Sequence, residues 1–312
     1  MNSFDVKYNV SYSDYFRSYI PDLLYPLKVL QRYRKTYKNF LEVFFKNRLN
    51  NFPIKAILRN GNHLILNNKI EVVLTAFGVS HHTDLENNIL ILNKKEFNEI
   101  KLLDWEENGD LYGIFCQNDY KSLPVSGAEV IDIGANICDS SIYFAKLGAK
   151  KVIALEPSPI NYESAKKNIE LNNLSKKIEL LLAACNSQDG NIKVDSNKKG
   201  VKLTLQKNIT SKMEIPCLSL DSILKRCANN IIVLKMDCEG CEYETILSSP
   251  DETLKKISFI LLEYHYGYIN LKLKLENCGF KVRVTKPARR KNVNLEKSSA
   301  FEGYLFAENF VI

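Results

Sequence analysis

The chain has 312 residues, 45% of them hydrophobic, so it can bury a full core, and its length suits two domains or one domain with a long N-terminal addition. It contains no run of about 18 apolar residues, and its N-terminus, MNSFDVKYNV, lacks the charged-then-apolar layout of a secretory leader, so a cytoplasmic protein without a membrane span is expected. The formal charge of +7 is uneven: from Tyr15 to Asn50 there are eight basic residues against Asp22 and Glu42 alone. The eight cysteines are scattered through apolar surroundings, which predicts reduced, mostly buried thiols.

From Tyr15 to about Leu49 apolar and aromatic residues recur at helical spacing, interrupted near Pro21 and Pro26, which predicts a helical arm over 1–52 with a basic second face. That face suits anionic lipid or nucleic acid, and it equally suits a helix packed on its own domain with solvated lysines. From Ile54 to Tyr120 short runs such as IKAILRNGNHLIL, NEIKLLDW and DLYGIFC, separated by Asn and Gly, predict a small β-rich segment over 53–125. From 126 to 312 strand and helix signals alternate, as in a mostly parallel sheet covered on both faces. Strands are expected at 129–134, 151–156, 177–185, 231–237, 258–265, 280–285 and 303–309, and helices at Asp139–Leu147, Asn161–Asn172, Leu220–Cys227, Glu242–Leu247 and Leu271–Cys278. The last two strands lack an intervening helix and are expected to pair antiparallel.

The run VIDIGANICDSS places Asp132 at the end of a buried strand, then Gly134 in a turn, then a polar helix start, a layout that suits a nucleotide-like cofactor over the strand's carboxyl end. Glu156 lies 22 residues beyond Gly134, at the tip of the next strand, where a carboxylate can accept from both hydroxyls of an adenosine ribose. A dinucleotide site needs G-x-G-x-x-G, and here Gly134 is followed by A-N-I-C-D. With Asp139 and Glu156 nearby, the region favours a cationic donor without phosphate, S-adenosylmethionine, leaving as S-adenosylhomocysteine.

D-I-G-A-N-I at 132–137, L-E-P-S-P at 155–159 and L-K-M-D-C-E-G-C-E at 234–242 resemble, in order and spacing, successive motifs of the FkbM-type methyltransferase family. The resemblance runs from about Gly109 to His265. It implies the α/β class I methyltransferase fold, a Rossmann-like seven-stranded sheet. It further implies that Asp132, Gly134 and Asn136 surround the methionine part, that Glu156 binds the ribose with help from Ser158, and that Ala183 and Ala184 lie near the adenine. The sequence departs from the family pattern at Cys138, where glycine is usual, and a Cβ is awkward there if the backbone needs positive φ.

In the third motif, strand alternation puts Lys235, Asp237 and Glu239 on one side as the chain leaves the sheet. Asp237 is expected at the carboxyl edge, where a carboxylate can meet the sulfonium, the substrate or a divalent ion; no metal is predicted. Cys238 and Cys241 form a lone C-x-x-C without a second pair at ligand spacing, which reads as packing rather than zinc or redox chemistry. His265, two residues beyond Glu263 at the next strand's end, is a candidate general base for a hydroxyl nucleophile. Asp237, Glu239 and His265 are therefore the catalytic candidates. The loop KPARRKN offers Arg289, Arg290 and Lys291 to an acidic substrate group or to solvent. The expected reaction is O-methylation of a small-molecule or carbohydrate-like acceptor. RNA methylation through the basic arm is the alternative, although no N-P-P-Y or D-P-P-Y run occurs, and a non-catalytic module on the same fold is a third reading. Peripheral membrane contact through the basic arm is compatible with the pattern.

Overall fold

Strand order is what positions the site. The structure, a computed structural model, describes residues 9–19, 25–84, 86–105, 110–195, 212–228, 230–289 and 301–309. By its contacts the chain divides into two compact units, one formed by Met1–Tyr19 with Leu123–Ile312 and the other by Ile20–Ser122.

In the larger unit the central sheet contains β6 (Glu129–Ile133), β7 (Lys151–Leu155), β8 (Ile178–Leu181), β12 (Ile232–Met236), β13 (Phe259–Tyr264), β14 (Phe280–Val284) and β16 (Phe301–Asn309). Their order is β14-β16-β13-β12-β6-β7-β8. β6, β7, β8, β12 and β13 pair parallel, whereas β16 enters between β13 and β14 antiparallel to both. This is the class I methyltransferase sheet. The last two strands pair antiparallel as expected, with β14 rather than the final strand on the edge. Every residue of β6 and β12 is buried, because helices cover both faces and leave no side for alternation to mark.

The helices are α5 (Asp139–Lys146) after β6, α6 (Pro159–Leu171) after β7, α8 (Cys241–Ser248) after β12 and α10 (Ile269–Asn277) after β13. Ser158 caps α6, its hydroxyl accepting from Asn161 N at 3.4 Å, and Pro159 occupies the first turn, where no donor is needed. The apolar run at 177–185 is two strands, not one: β8 ends at Leu181, and β9 (Ala184–Asn186) pairs with β11 (Lys212–Ser219) in a separate small sheet. A continuous apolar run gives no sign of where the pairing partner changes. α1 (Tyr12–Tyr19) belongs to this unit, anchored by Asn9 Nδ2 donating to Tyr266 O at 2.8 Å and by Tyr268 Oη donating to Asp14 at 2.6 Å.

In the smaller unit, α2 (Tyr25–Thr36) and α3 (Phe40–Arg48) share a core with the hairpin β1 (Ile54–Ile57) and β2 (His63–Leu66) and with α4 (Lys69–Ala76). Tyr33, Tyr37 and Val43 are buried against Ile54, Leu66 and Val72. The expected arm thus packs part of its apolar face on its own unit, while Leu27, Leu41 and Phe45 stay exposed. Its cations, Lys28, Arg32, Lys35 and Arg48, line an open cavity of about 920 Å³ together with Lys69 and several aromatic rings. A three-stranded sheet, β3 (Ser80–Asp84), β4 (Ile89–Lys94) and β5 (Asn98–Leu102), completes the β content.

Two expectations fail in this unit. α4 was not anticipated, although Asn68 accepting from Glu71 N at 2.9 Å, with Glu71 Oε2 accepting from Asn67 N at 2.6 Å, is a capping arrangement legible as N-x-x-E. DLYGIFC is not a strand. Tyr112–Gln117 forms a π-helical turn that buries Ile114, Phe115 and Cys116, and a short apolar run fits either form. Among the described residues no helix is long and apolar enough to cross a membrane.

Tyr37 Oη donates to Val72 O at 2.8 Å inside the smaller core. Tyr37→Phe removes that buried hydrogen bond and should cost about 0.5–1.5 kcal/mol. Denaturant unfolding of the variant would show it, and an unchanged midpoint would mean that water replaces the hydroxyl.

Candidate active site

The carboxyl ends of β6 and β12 are joined by a buried polar knot. Lys235 Nζ lies 3.0 Å from Asp132 Oδ1, with the side chains 3% and 0% exposed, and it donates to Gly134 O at 3.0 Å. Ser140 and Ser141 at the start of α5 each donate to Asp132 Oδ2 at 2.6 Å. Asp132 therefore lies beneath the turn, its Oδ2 taken by the two serines and its Oδ1 facing the Lys235 ammonium. Strand register places it opposite Lys235, a neighbour that a single-strand pattern cannot reveal.

Gly134 has φ +79°, and a Cβ built there would lie 1.8 Å from the Asp237 carbonyl oxygen. The glycine is required by the approach of the β12 loop. Asp237 N donates to Ile133 O at 3.0 Å, closing the contact from the other side. Beyond Gly134 the chain takes left-handed conformations at Asn136, φ 51°, and Cys138, φ 65°. The position where a Cβ is awkward does adopt positive φ, and the cysteine occupies it fully buried. Burial pushes the Cys138 thiol well above its usual range, so it is a neutral packing group.

At the tip of β7, Glu156 is buried and receives two backbone hydrogen bonds, from Asn136 N to Oε2 and from Ser158 N to Oε1, both at 2.8 Å. Burial is the largest influence on its carboxyl and outweighs those donors, raising its pKa to about 7. Asn136, Glu156 and Ser158 thus come together as one unit. Asn168 of α6 secures the turn by donating to Ile137 O at 3.0 Å. Ala184 is buried in β9, paired with Cys217.

Across the edge, Asp237, Glu239, Glu242 and His265 form a second cluster. His265 follows β13 and is 3% exposed; its Nε2 lies 3.8 Å from Asp237 Oδ1 and 4.0 Å from Glu239 Oε2, and its Nδ1 lies 3.3 Å from Glu242 Oε1. Glu242 is 0% exposed and accepts from Cys238 N at 2.9 Å. It was not singled out from the sequence, and only its position opening α8, at the far end of the Asp237–Glu242 motif, hinted at a role. Burial alone would favour a neutral His265 ring. The contact with Glu242 and the charges of Glu242, Asp237 and Glu239 outweigh it and raise the pKa to about 9. With these groups alone around it the imidazole holds its proton at neutral pH and offers no lone pair as a base.

Glu239, φ 57°, and Gly240, φ 126°, turn the chain sharply between these side chains. Cys238 and Cys241 are joined as a disulfide across this turn, contrary to the expected pair of thiols, while Cys116, Cys138, Cys185, Cys217, Cys227 and Cys278 are free. Proximity is the reason: the turn brings their Cα atoms to 5.5 Å. Arg289 Nε donates to Ser18 Oγ at 2.9 Å, so this residue anchors α1; Arg290 and Lys291 lie outside the described residues. Glu263 lies on β13 opposite Tyr304 of β16.

Lys235→Met removes the partner of a buried carboxylate and should destabilise the protein by about 3–5 kcal/mol. Thermal unfolding at neutral pH measures it; a wild-type midpoint would show that the pair does not hold the two strand ends.

Residues 132–282 match the methyltransferase FkbM domain. Methyltransferase 1 from Beauveria bassiana (strain ARSEF 2860) is 25% identical over 204 residues, which are 56% of this chain and 81% of that protein. Among solved structures, methyltransferase FkbM from Methylobacillus flagellatus KT aligns with a TM-score of 0.40 and 16% identity over 60% of this chain, spanning 45% of its own length. TrmK from M. capricolum, in complex with S-adenosyl-homocysteine, aligns with a TM-score of 0.36 and 16% identity over 63% of this chain and 68% of that one.

Proposed function

We propose that the chain, whose residues 132–282 match the methyltransferase FkbM domain, is an S-adenosylmethionine-dependent methyltransferase that methylates a hydroxyl oxygen of a small-molecule or carbohydrate-like acceptor. The residues at the carboxyl edge fit this donor. In a dinucleotide turn the glycine leaves room for pyrophosphate, whereas Gly134 gives its room to the Asp237 carbonyl. The edge is also rich in carboxylates, which attract a sulfonium and an ammonium and repel phosphate. Glu156 is the ribose ligand in this reading: each oxygen accepts one backbone N–H and keeps a lone pair for a hydroxyl. Gly134 and Asn136 line the methionine side, and Ser158 fixes Glu156 from the start of α6. Asp132 supports the turn from below, and Ala184 is assigned to the adenine side.

S-adenosylmethionine, when bound, supplies an electrophilic methyl group whose transfer needs chiefly alignment and charge complementarity. The observation that carries the reading is the partly exposed carboxylate pair Asp237 and Glu239 beside the buried His265, at the same edge as Glu156. As the acceptor oxygen gains the methyl group it loses its proton, and these carboxylates are placed to take it. His265 in its charged form faces Asp237 across 3.8 Å and helps to orient it. This gives the imidazole a positioning role in place of the base expected from sequence.

Glu156→Gln should weaken S-adenosylmethionine binding by about tenfold or more in calorimetry, since an amide loses the charge and half the acceptors. Unchanged affinity would remove Glu156 from the site. The pKa of about 7 adds a pH signature: the carboxyl is protonated below it and ionised above it, so affinity should fall up to roughly tenfold between about pH 8 and about pH 6. A flat profile in the wild type would contradict the ribose role.

A further inference from the structure

The far-side cluster gathers three carboxylates round one imidazole: Asp237, Glu239 and Glu242 lie 3.3–4.0 Å from the ring nitrogens of His265. Two buried polar atoms in the cluster also lack a hydrogen-bond partner: Glu242 Oε2 and His265 Nδ1, the latter near Glu242 Oε1 but out of line for a hydrogen bond. Buried atoms left in this state are costly unless a ligand meets them.

Asp237, Glu242 and His265 can each present one ligand atom such that all lie within 4.8 Å of one another. Divalent ions take oxygen and imidazole nitrogen at roughly 2.0–2.6 Å, so ligand atoms around one ion stand up to about 5 Å apart. The cluster meets this spacing without backbone movement. Two of its members are buried and fixed, Glu242 through Cys238 N and His265 at the end of β13, while Asp237, with a side chain 17% exposed, faces the opening.

We propose that Asp237, Glu242 and His265 bind a divalent metal cation, which takes the place of the proton that His265 holds in its absence. Two carboxylate oxygens with one imidazole nitrogen suit manganese, iron or zinc better than calcium, and three protein ligands leave positions open for water or substrate. The binding claim stands on the cluster alone. The role rests on the hydroxyl-methylation reading: an acceptor hydroxyl on an open position is polarised by the ion, its proton passes to Glu239, the new C–O bond forms and the S–CH3 bond breaks.

The test is a titration of the full-length, metal-stripped chain with Mn(II), free metal being followed by electron paramagnetic resonance, with no S-adenosylmethionine present. One Mn(II) per chain is expected, with affinity at least tenfold lower in Asp237→Asn and His265→Ala variants of unchanged circular dichroism. The Cys238→Ser/Cys241→Ser variant should bind as the wild type, and its loss of binding would transfer the ion to thiolates and overturn the assignment. Absence of bound Mn(II) at millimolar metal, or equal affinity in all variants, would do the same. Should the variants fail to fold, pulsed resonance on the wild type decides: coupling to an imidazole nitrogen supports the site and its absence refutes it. A separate titration with S-adenosylmethionine in chelator distinguishes the two readings, because donor binding without metal binding sinks only the metal site.

Discussion

The buried pair between Asp132 and Lys235 is the interaction on which the site depends. A carboxylate and an ammonium with almost no solvent exposure need each other and further polar partners: Ser140 and Ser141 donate to Asp132 Oδ2, Lys235 donates to Gly134 O, and Asp132 Oδ1 is left to the charge of Lys235 alone. Each of those partners belongs to a different step of the same turn. The pair therefore joins adjacent strands, pins the start of α5 and draws the glycine turn under the β12 loop. The contact between Gly134 and the Asp237 carbonyl follows, leaving no room for any side chain at residue 134.

That fixed point divides the carboxyl edge into two halves of different character. On one half, Glu156 is presented by two backbone donors at the junction of β7 and α6. On the other, Glu239 and Gly240 hold left-handed backbone so that carboxylates from one loop surround the histidine of the next strand. Left-handed backbone at Asn136, Cys138 and Glu239 shapes the two loops that frame the site. In the proposed reading the first half holds a ribose, and the second is where a methyl group and a proton change hands.

The sheet was legible because its strands are nearly continuous apolar runs separated by helix signals, and six of the seven expected segments each form one strand of it, while 177–185 supplies only its first part. The near half of the site was legible for a related reason. Asp132, Gly134, Asn136, Glu156 and Ser158 sit at strand tips and helix starts, which sequence spacing locates well. What the sequence did not disclose depends on register and on loop closure. The opposition of Asp132 and Lys235 is a cross-strand fact, and the inward turn of Glu242 toward His265 joins residues from separate loops. The same limit explains the Cys238–Cys241 disulfide, which needs the turn at Gly240, and the split of 177–185 into β8 and β9. In the smaller unit, α4 was missed because it is only 8 residues long, carries β-branched residues that also suit a strand, and lies among strands, although its cap at Asn68 was readable.

The central claim is that this edge transfers a methyl group to a hydroxyl oxygen, and the acceptor decides it. The most direct measurement incubates the purified chain with carbon-labelled S-adenosylmethionine and fractionated small-molecule, glycan, protein and RNA pools, then examines the labelled product by NMR. The account predicts label in an alkali-stable methyl ether of a small-molecule or glycan fraction. Label on an RNA base or a protein nitrogen, or no transfer to any pool by a chain that binds the donor, would contradict it.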